Sequence, residues 1–164
     1  MKNIDIEELK KLMVIIKEAP SIRIGHFSDN GLELANILET FCKEKEYEYI
    51  LYAIDKDYAD NVEKYIKNTK FFKLDRPKYM LNGKFFDYVF VTANIEDKES
   101  FVKKVHPVIK NAGEIIIFVK NRDYINIDNW KRLLEENYYV ATNLIEIDSN
   151  YSVIVSKKMH GWGG

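Results

Sequence analysis

Phe86-Asp87-Tyr88-Val89-Phe90-Val91, and beyond it Val108-Ile109-Lys110-Asn111-Ala112-Gly113-Glu114-Ile115-Ile116-Ile117-Phe118-Val119, decide how this chain folds. Asp87 to Val91 is strongly β-prone, with aromatic and β-branched residues in an unbroken run. Between the two blocks, Phe101, Val102, Val105 and Ile109 recur at helical spacing, which predicts a helix over about 97–110. Asn111-Ala112-Gly113 stops that helix. Glu114 to Val119 is then a continuous apolar run, as expected for a central strand covered on both faces. A strand, a helix and a second strand in this order form a parallel pair with a right-handed crossover.

The same alternation extends upstream. Residues 5–18 predict an amphipathic helix, with Leu9, Leu12, Met13 and Ile16 on one face and Pro20 beyond its end. A short strand, Ser21 to Gly25, leads into a loop His26-Phe27-Ser28-Asp29-Asn30. A helix follows from about Gly31 to Lys45, then a strand from Tyr49 to Ile54 and a helix over 58–68. Phe71 to Leu74 reads as a third short strand, and 76–86, with Pro77 and Asn82-Gly83, as a loop.

Downstream, Asp128 caps a predicted helix running to about Asn137, with Trp130, Leu133 and Leu134 apolar. Strands at about 138–147 and 151–157 close the chain. Their link, Asp148-Ser149-Asn150, is too short for a crossover, so they form an antiparallel hairpin. With no repeat, low-complexity tract or linker, residues 1–164 read as one domain, with an N-terminal helical segment over 1–20 and a flexible tail over 158–164. The predicted architecture is α/β, a Rossmann-like three-layer αβα sandwich. Its seven-stranded sheet is mostly parallel with an antiparallel last strand.

Composition narrows the function classes. Lys and Arg number 25 against 26 Asp and Glu, a net charge of -1. Such a balance gives no whole-molecule attraction to nucleic acid or anionic membranes. The basic residues Lys70, Lys73, Arg76, Lys78 and Lys84 interleave with Phe71, Phe72, Tyr79 and Phe85, a pattern that single-strand binders share. Here it reads more simply as core aromatics separated by solvated lysines. The one cysteine, Cys42, falls on an apolar helix face and reads as a structural thiol in a reducing, cytoplasmic setting. No run of about 20 apolar residues is present to span a bilayer. His26, His106 and His160 have no metal-ligand spacing with Cys42 or the acids. The tail Met159-His160-Gly161-Trp162-Gly163-Gly164 follows an antiparallel last strand, so it is expected far from the ligand end of the sheet.

The order of elements over about residues 5–157 resembles the class I S-adenosylmethionine-dependent methyltransferases. Residues 86–91 are similar to that family's fourth-strand segment, and residues 108–117 to its helix-end, glycine and apolar-strand segment. In open α/β sheets ligands sit outside the carboxyl ends of the strands, at the topological switch point. The resemblance implies S-adenosylmethionine as cofactor. It places Gly25, Ser28 and Gly31 in the cofactor loop, Asp55 on the ribose hydroxyls, Asp75 near the adenine amine, and Asn94 after the fourth strand. Arg23 stands where the family commonly has an acid, and Asp29 is the candidate anion to pair with a cation there. No Pro-Pro-aromatic follows Asn94, which argues against methylation of base amines.

Each residue also has a structural reading. Gly25 can end a strand and Gly31 can open a helix. Asp55 can cap the helix after it, and Asp75 before Arg76-Pro77 can serve a turn. Glu96 and Asp97 suit the first turn of a helix. No catalytic residue is assigned. The function that follows is a methyltransferase of unknown substrate, or alternatively a methyltransferase-like binding or scaffold module without catalysis. A nucleotide-using oxidoreductase fits less well because of the closing hairpin. With no added substrate domain, a bulky partner is easier to accommodate than an enclosed small molecule. Oligomeric state is left open.

Overall fold

A computed structural model describes residues 1, 3–79 and 82–159. Twelve principal elements alternate along the chain. In order they are α1 (Ile6–Lys11), β1 (Arg23–Ser28), α2 (Glu33–Lys45), β2 (Glu48–Ala53), α3 (Lys56–Val62) and β3 (Thr69–Phe71), followed by β4 (Phe86–Val91), α4 (Lys98–Val105), β5 (Ile109–Lys120), α5 (Tyr124–Glu136), β6 (Tyr139–Glu146) and β7 (Tyr151–Lys158). The strands form one seven-stranded sheet in the order β3-β2-β1-β4-β5-β7-β6. β1 to β5 are parallel, and β7 runs antiparallel to both β5 and β6.

Period-two alternation divides the sheet between two cores. Tyr49, Leu51 and Ala53 of β2 face α1, α2 and α3, where Leu9, Leu34, Leu38 and Val62 are buried. Ile50 and Tyr52 face the other way, toward Phe101 and Val102 of α4 and Ile127, Trp130 and Leu134 of α5. The predicted sandwich is therefore present. Caps are legible locally: Asp5, Asp55, Asp97 and Asp123 each accept a backbone N–H in the first turn of the helix that follows.

Several boundaries differ from the sequence reading. The N-terminal helix stops at Lys11 and tightens into a 3-10 turn over Leu12–Ile15. β3 lies earlier, at Thr69–Phe71, and α5 starts at Tyr124 with Asp123 rather than Asp128 as its cap. The predicted stop at Asn111-Ala112-Gly113 lies inside β5, where the register against β4 shifts and Ala112 has φ 64°. A Cβ on Gly113 would stand 3.0 Å from the Asp87 carbonyl oxygen, so the strands approach closely only because this residue is glycine.

The largest shift concerns β1. It runs to Ser28, three residues beyond the predicted Gly25, and residues His26 and Phe27 belong to the strand. His26 and Phe27 are buried at 1% and 0% exposure, a burial that local pattern around a histidine did not suggest. β7 ends at Lys158, at the edge of the sheet away from the carboxyl ends of the parallel strands. The tail from His160 to Gly164 lies outside the described residues. No described helix is long and apolar enough to cross a membrane.

Candidate functional site

The strand order reverses between β1 and β4, so the crevice outside their carboxyl ends is where such a sheet opens toward ligands. The loop after β1 is only Asp29 to Leu32. It is tied at several points. Ser28 Oγ lies 3.1 Å from the Asn30 carbonyl and 3.2 Å from the Tyr58 hydroxyl. Tyr58, reaching over from α3, donates to the Gly31 carbonyl at 2.7 Å. Gly31 has φ 76°, a conformation that favours glycine. Glu33 folds back so that its carboxylate accepts from Leu32 N at 3.0 Å. Asp29 crosses the crevice, and its Oδ2 accepts from Asn94 N at 2.9 Å.

Two cavities meet at Asn94 and Ile95. The larger, about 600 Å3, lies between the ends of β4 and β5 and the start of α5, and includes Asn30, Thr92, Lys98, Lys120 and Trp130 in its wall. The smaller, about 410 Å3, is bounded by Ile54 after β2, Leu74 and Asp75 after β3, Tyr79, and the start of α4. Its walls are apolar around Ile54, Leu74 and Phe101, with carboxylates from Asp75, Glu96 and Asp97. The Tyr79 hydroxyl is buried here without a hydrogen-bond partner among the described residues. Burial and the nearby Asp97 carboxylate push its ionisation upward, so it stays a neutral phenol.

Placed against this geometry, the sequence candidates separate. Ser28, Gly31, Asp55, Asp75 and Asn94 lie at or just past the carboxyl ends of β1 to β4, and of these Asp75 and Asn94 line the two cavities while Ser28, Gly31 and Asp55 line neither. Asp55 is exposed; its Oδ2 accepts from Tyr58 N at 3.0 Å, leaving Oδ1 without a partner among the described residues. Asp75 lines the smaller cavity and Asn94 lines both. Gly25 is the exception, because it sits inside β1 between Ile50 and Val89 rather than in the loop. Its small size serves packing, since a Cβ would meet the Phe86 ring at 3.0 Å.

Two further residues lie elsewhere than the sequence reading placed them. Arg23 begins β1 and so lies at the opposite edge of the sheet from the crevice. There it pairs with Glu48 at 3.2 Å and stacks over Phe85 at 4.3 Å. Phe27 does not enter the crevice either. Its ring packs in the α4 core, stacked on Tyr52 at 5.1 Å and edge-on to Phe101 at 5.3 Å. Phe72 and Tyr79 are buried in the same cluster rather than presented as an exposed stacking surface.

Beneath the larger cavity lies a polar chain that the sequence did not signal. His26 Nδ1 is 2.8 Å from the Tyr49 hydroxyl, and Nε2 is 2.8 Å from Thr92 Oγ1. Tyr49 has no other acceptor among the described residues, so its hydroxyl donates to Nδ1. The ring proton is then on Nε2 and is donated to Thr92, whose own hydroxyl points to the Phe27 carbonyl at 3.4 Å. Every hydrogen has an acceptor only in this arrangement. Burial pushes the His26 imidazole down to about 3, so the chain is neutral. It holds Thr92 rigidly at the cavity wall.

No protein-family profile matches the sequence, and no curated protein matches it. Solved structures do match. An S-adenosylmethionine-dependent methyltransferase from Aquifex aeolicus superimposes with TM-score 0.71 at 13% identity, covering 95% of this chain and 90% of that one. One from Archaeoglobus fulgidus gives TM-score 0.70 at 15% identity, covering 94% and 95%. The fold is that of the class I methyltransferases. The CurJ carbon methyltransferase also matches, with TM-score 0.71 at 13% identity over 91% of this chain, which spans only 51% of that protein. At such identities the likeness is one of architecture, and the chemistry has to be argued from the residues present.

Those residues fit S-adenosylmethionine in three respects. The smaller cavity offers an apolar patch, Ile54, Leu74 and Phe101, against which a flat base would pack, with Asp75 beside it. Asp55 Oδ1, without a partner among the described residues, stands just past the end of β2, where a ribose diol would lie. Asp29 places a carboxylate at the β1–β4 crevice, where an ammonium group would be met.

Proposed function

We propose that this chain is a methyltransferase that binds S-adenosylmethionine across the two cavities and methylates an acceptor held in the larger one. The observation that carries this is the meeting of two cavities at Asn94-Ile95, on the switch point of this sheet, one with an apolar patch of Ile54, Leu74 and Phe101 beside Asp75 and the other walled by Thr92, Lys98, Lys120 and Trp130. Ile54, Leu74, Ile95 and Phe101 would hold the adenine, with Asp75 accepting from its amine. Asp55 would accept from the ribose hydroxyls through Oδ1 while Oδ2 continues to cap α3. Asp29, fixed by Asn94 N, would pair with the ammonium group. When bound, the cofactor supplies an electrophilic methyl group. The chain's own part is to orient the acceptor and exclude water, which is the larger share of catalysis for a reactive nucleophile. Thr92 and Asn94 stand at the junction for this purpose. The acceptor itself is a small molecule or a terminal group of a larger one.

One observation favours a second reading, a binding module without transfer. Glu33 occupies the Leu32 N–H, and Asp29 already bridges to Asn94. A ligand needing either group must displace a partner within the protein.

Calorimetric titration with S-adenosylhomocysteine tests the first reading. Asp55→Asn keeps a helix cap but removes the charge, so affinity is expected to fall roughly 10- to 100-fold, the worth of a charge-assisted hydrogen bond. Absence of saturable heat with the unaltered protein overturns the nucleoside assignment. Binding without turnover over a panel of acceptors favours the second reading.

A further inference from the structure

The wall of the larger cavity carries more hydrogen-bond donors than the protein uses. Trp130 is only 3% exposed, yet it lines this cavity, and its indole N–H finds no acceptor among the described residues. It is not one of the three polar side-chain atoms sealed away without a partner, which are Tyr79 Oη, His106 Nε2 and Asn111 Oδ1. The N–H therefore keeps some exposure, in a residue that lines this cavity. A buried indole normally has its N–H paired, because leaving it unpaired costs free energy.

Two lysines share the wall. Lys98 Nζ stands 5.5 Å from the centre of the Trp130 ring, held by the aromatic face rather than by a carboxylate. Lys120 lies at the end of β5. Neither is in an ion pair among the described residues, although six of the eight ion pairs that are present involve other lysines. The 13-residue helix α5 begins on the same wall, through Asp123 and Asn126, and brings the positive end of its dipole. Asp123 is the one acid in the lining. Its Oδ1 is taken up in capping, accepting from Asn126 N at 3.4 Å.

From this we infer that the larger cavity is an oxyanion site, in which Lys98, Lys120 and the Trp130 N–H hold a carboxylate or phosphate group of the ligand. The anion site stands on its own geometry. Its role as the anchor of the methyl acceptor rests on the methyltransferase reading. That acceptor is then a small carboxylate or phosphate ester, held by its charged end at α5 with the rest of the molecule directed toward Asn94. The three donors act together, one planar and fixed, two flexible and charged, which suits an oxyanion better than a neutral amide.

The test follows the Trp130 indole N–H by 1H–15N correlation spectroscopy, with the resonance assigned by its loss in Trp130→Phe. Inorganic phosphate and acetate are titrated at constant ionic strength, with chloride as the control. A saturable shift with one or both anions is expected, and the tighter of the two names the oxyanion class. In the double variant Lys98→Met/Lys120→Met, affinity should fall at least tenfold; both side chains reach solvent, so the fold should survive. No movement beyond the chloride control overturns the inference, as does unchanged binding in the double variant. S-adenosylhomocysteine titrated into the same samples separates the two claims. A nucleoside response without an anion response leaves the methyltransferase reading standing and removes this one. The reverse removes the methyltransferase reading and keeps the anion site.

Discussion

Mild acid should destabilise this protein through His26. In the folded chain burial holds its imidazole neutral down to about 3, against 6.5 for a free histidine. Between those values the unfolded chain binds a proton that the folded chain does not, so stability is lost as pH falls. At pH 5 the difference is roughly 1.4 kcal/mol per unit over about 1.5 units, or about 2 kcal/mol, whether the folded value is 3 or 4. For a domain of this size that corresponds to a drop of roughly 4–8 °C in Tm. His106 is shifted the same way, by burial and by Lys158, while Glu114, pushed up by burial, opposes it. Urea unfolding at pH 7.5 and 5.0 should therefore compare the natural chain with His26→Gln, whose amide can still bridge Tyr49 and Thr92. The variant should lose about 2 kcal/mol less on acidification. An equal loss in both, or an NMR titration placing the His26 transition near 6.5, would refute the neutral Tyr49–His26–Thr92 chain.

Other outcomes test the packing. Gly25→Ala forces a methyl against the Phe86 ring at 3.0 Å and should cost about 1–3 kcal/mol by chemical denaturation; a neutral result would mean the ring moves aside freely. Cys42 is 1% exposed, and burial pushes its thiol up to about 12. It should resist thiol reagents in the folded protein and react fully in denaturant. Rapid labelling of the native chain would contradict the packing of α2. Gly31→Ala strains a residue at φ 76° and should lower stability by about 1 kcal/mol, read by thermal denaturation.

The sandwich was legible in the sequence because its parts are local. Apolar residues at helical spacing, β-prone runs and a three-residue link carry their own information, and together they restrict the order of strands to few topologies. Asp55 and Asp75 were legible as candidates because an acid at the end of a strand is a position, not a contact. The extent of β1 was not legible. His26 and Phe27 looked like a loop because a histidine interrupts the apolar run, and only Tyr49 and Thr92 make its burial tolerable. The same holds for Gly25, whose reason lies in the ring of Phe86.

By itself, then, the sequence determined the alternation, the parallel sheet and the closing hairpin, since period and link length constrain the backbone directly. Only the tertiary structure decided what stands around the crevice. Asp29 meets Asn94, Tyr58 reaches Gly31, and Lys98 settles over Trp130 across 27 to 65 residues of chain. Such pairings arise from the stacking of helices on two faces of one sheet, and no local pattern of residues encodes which distant partners that stacking will bring within bonding distance.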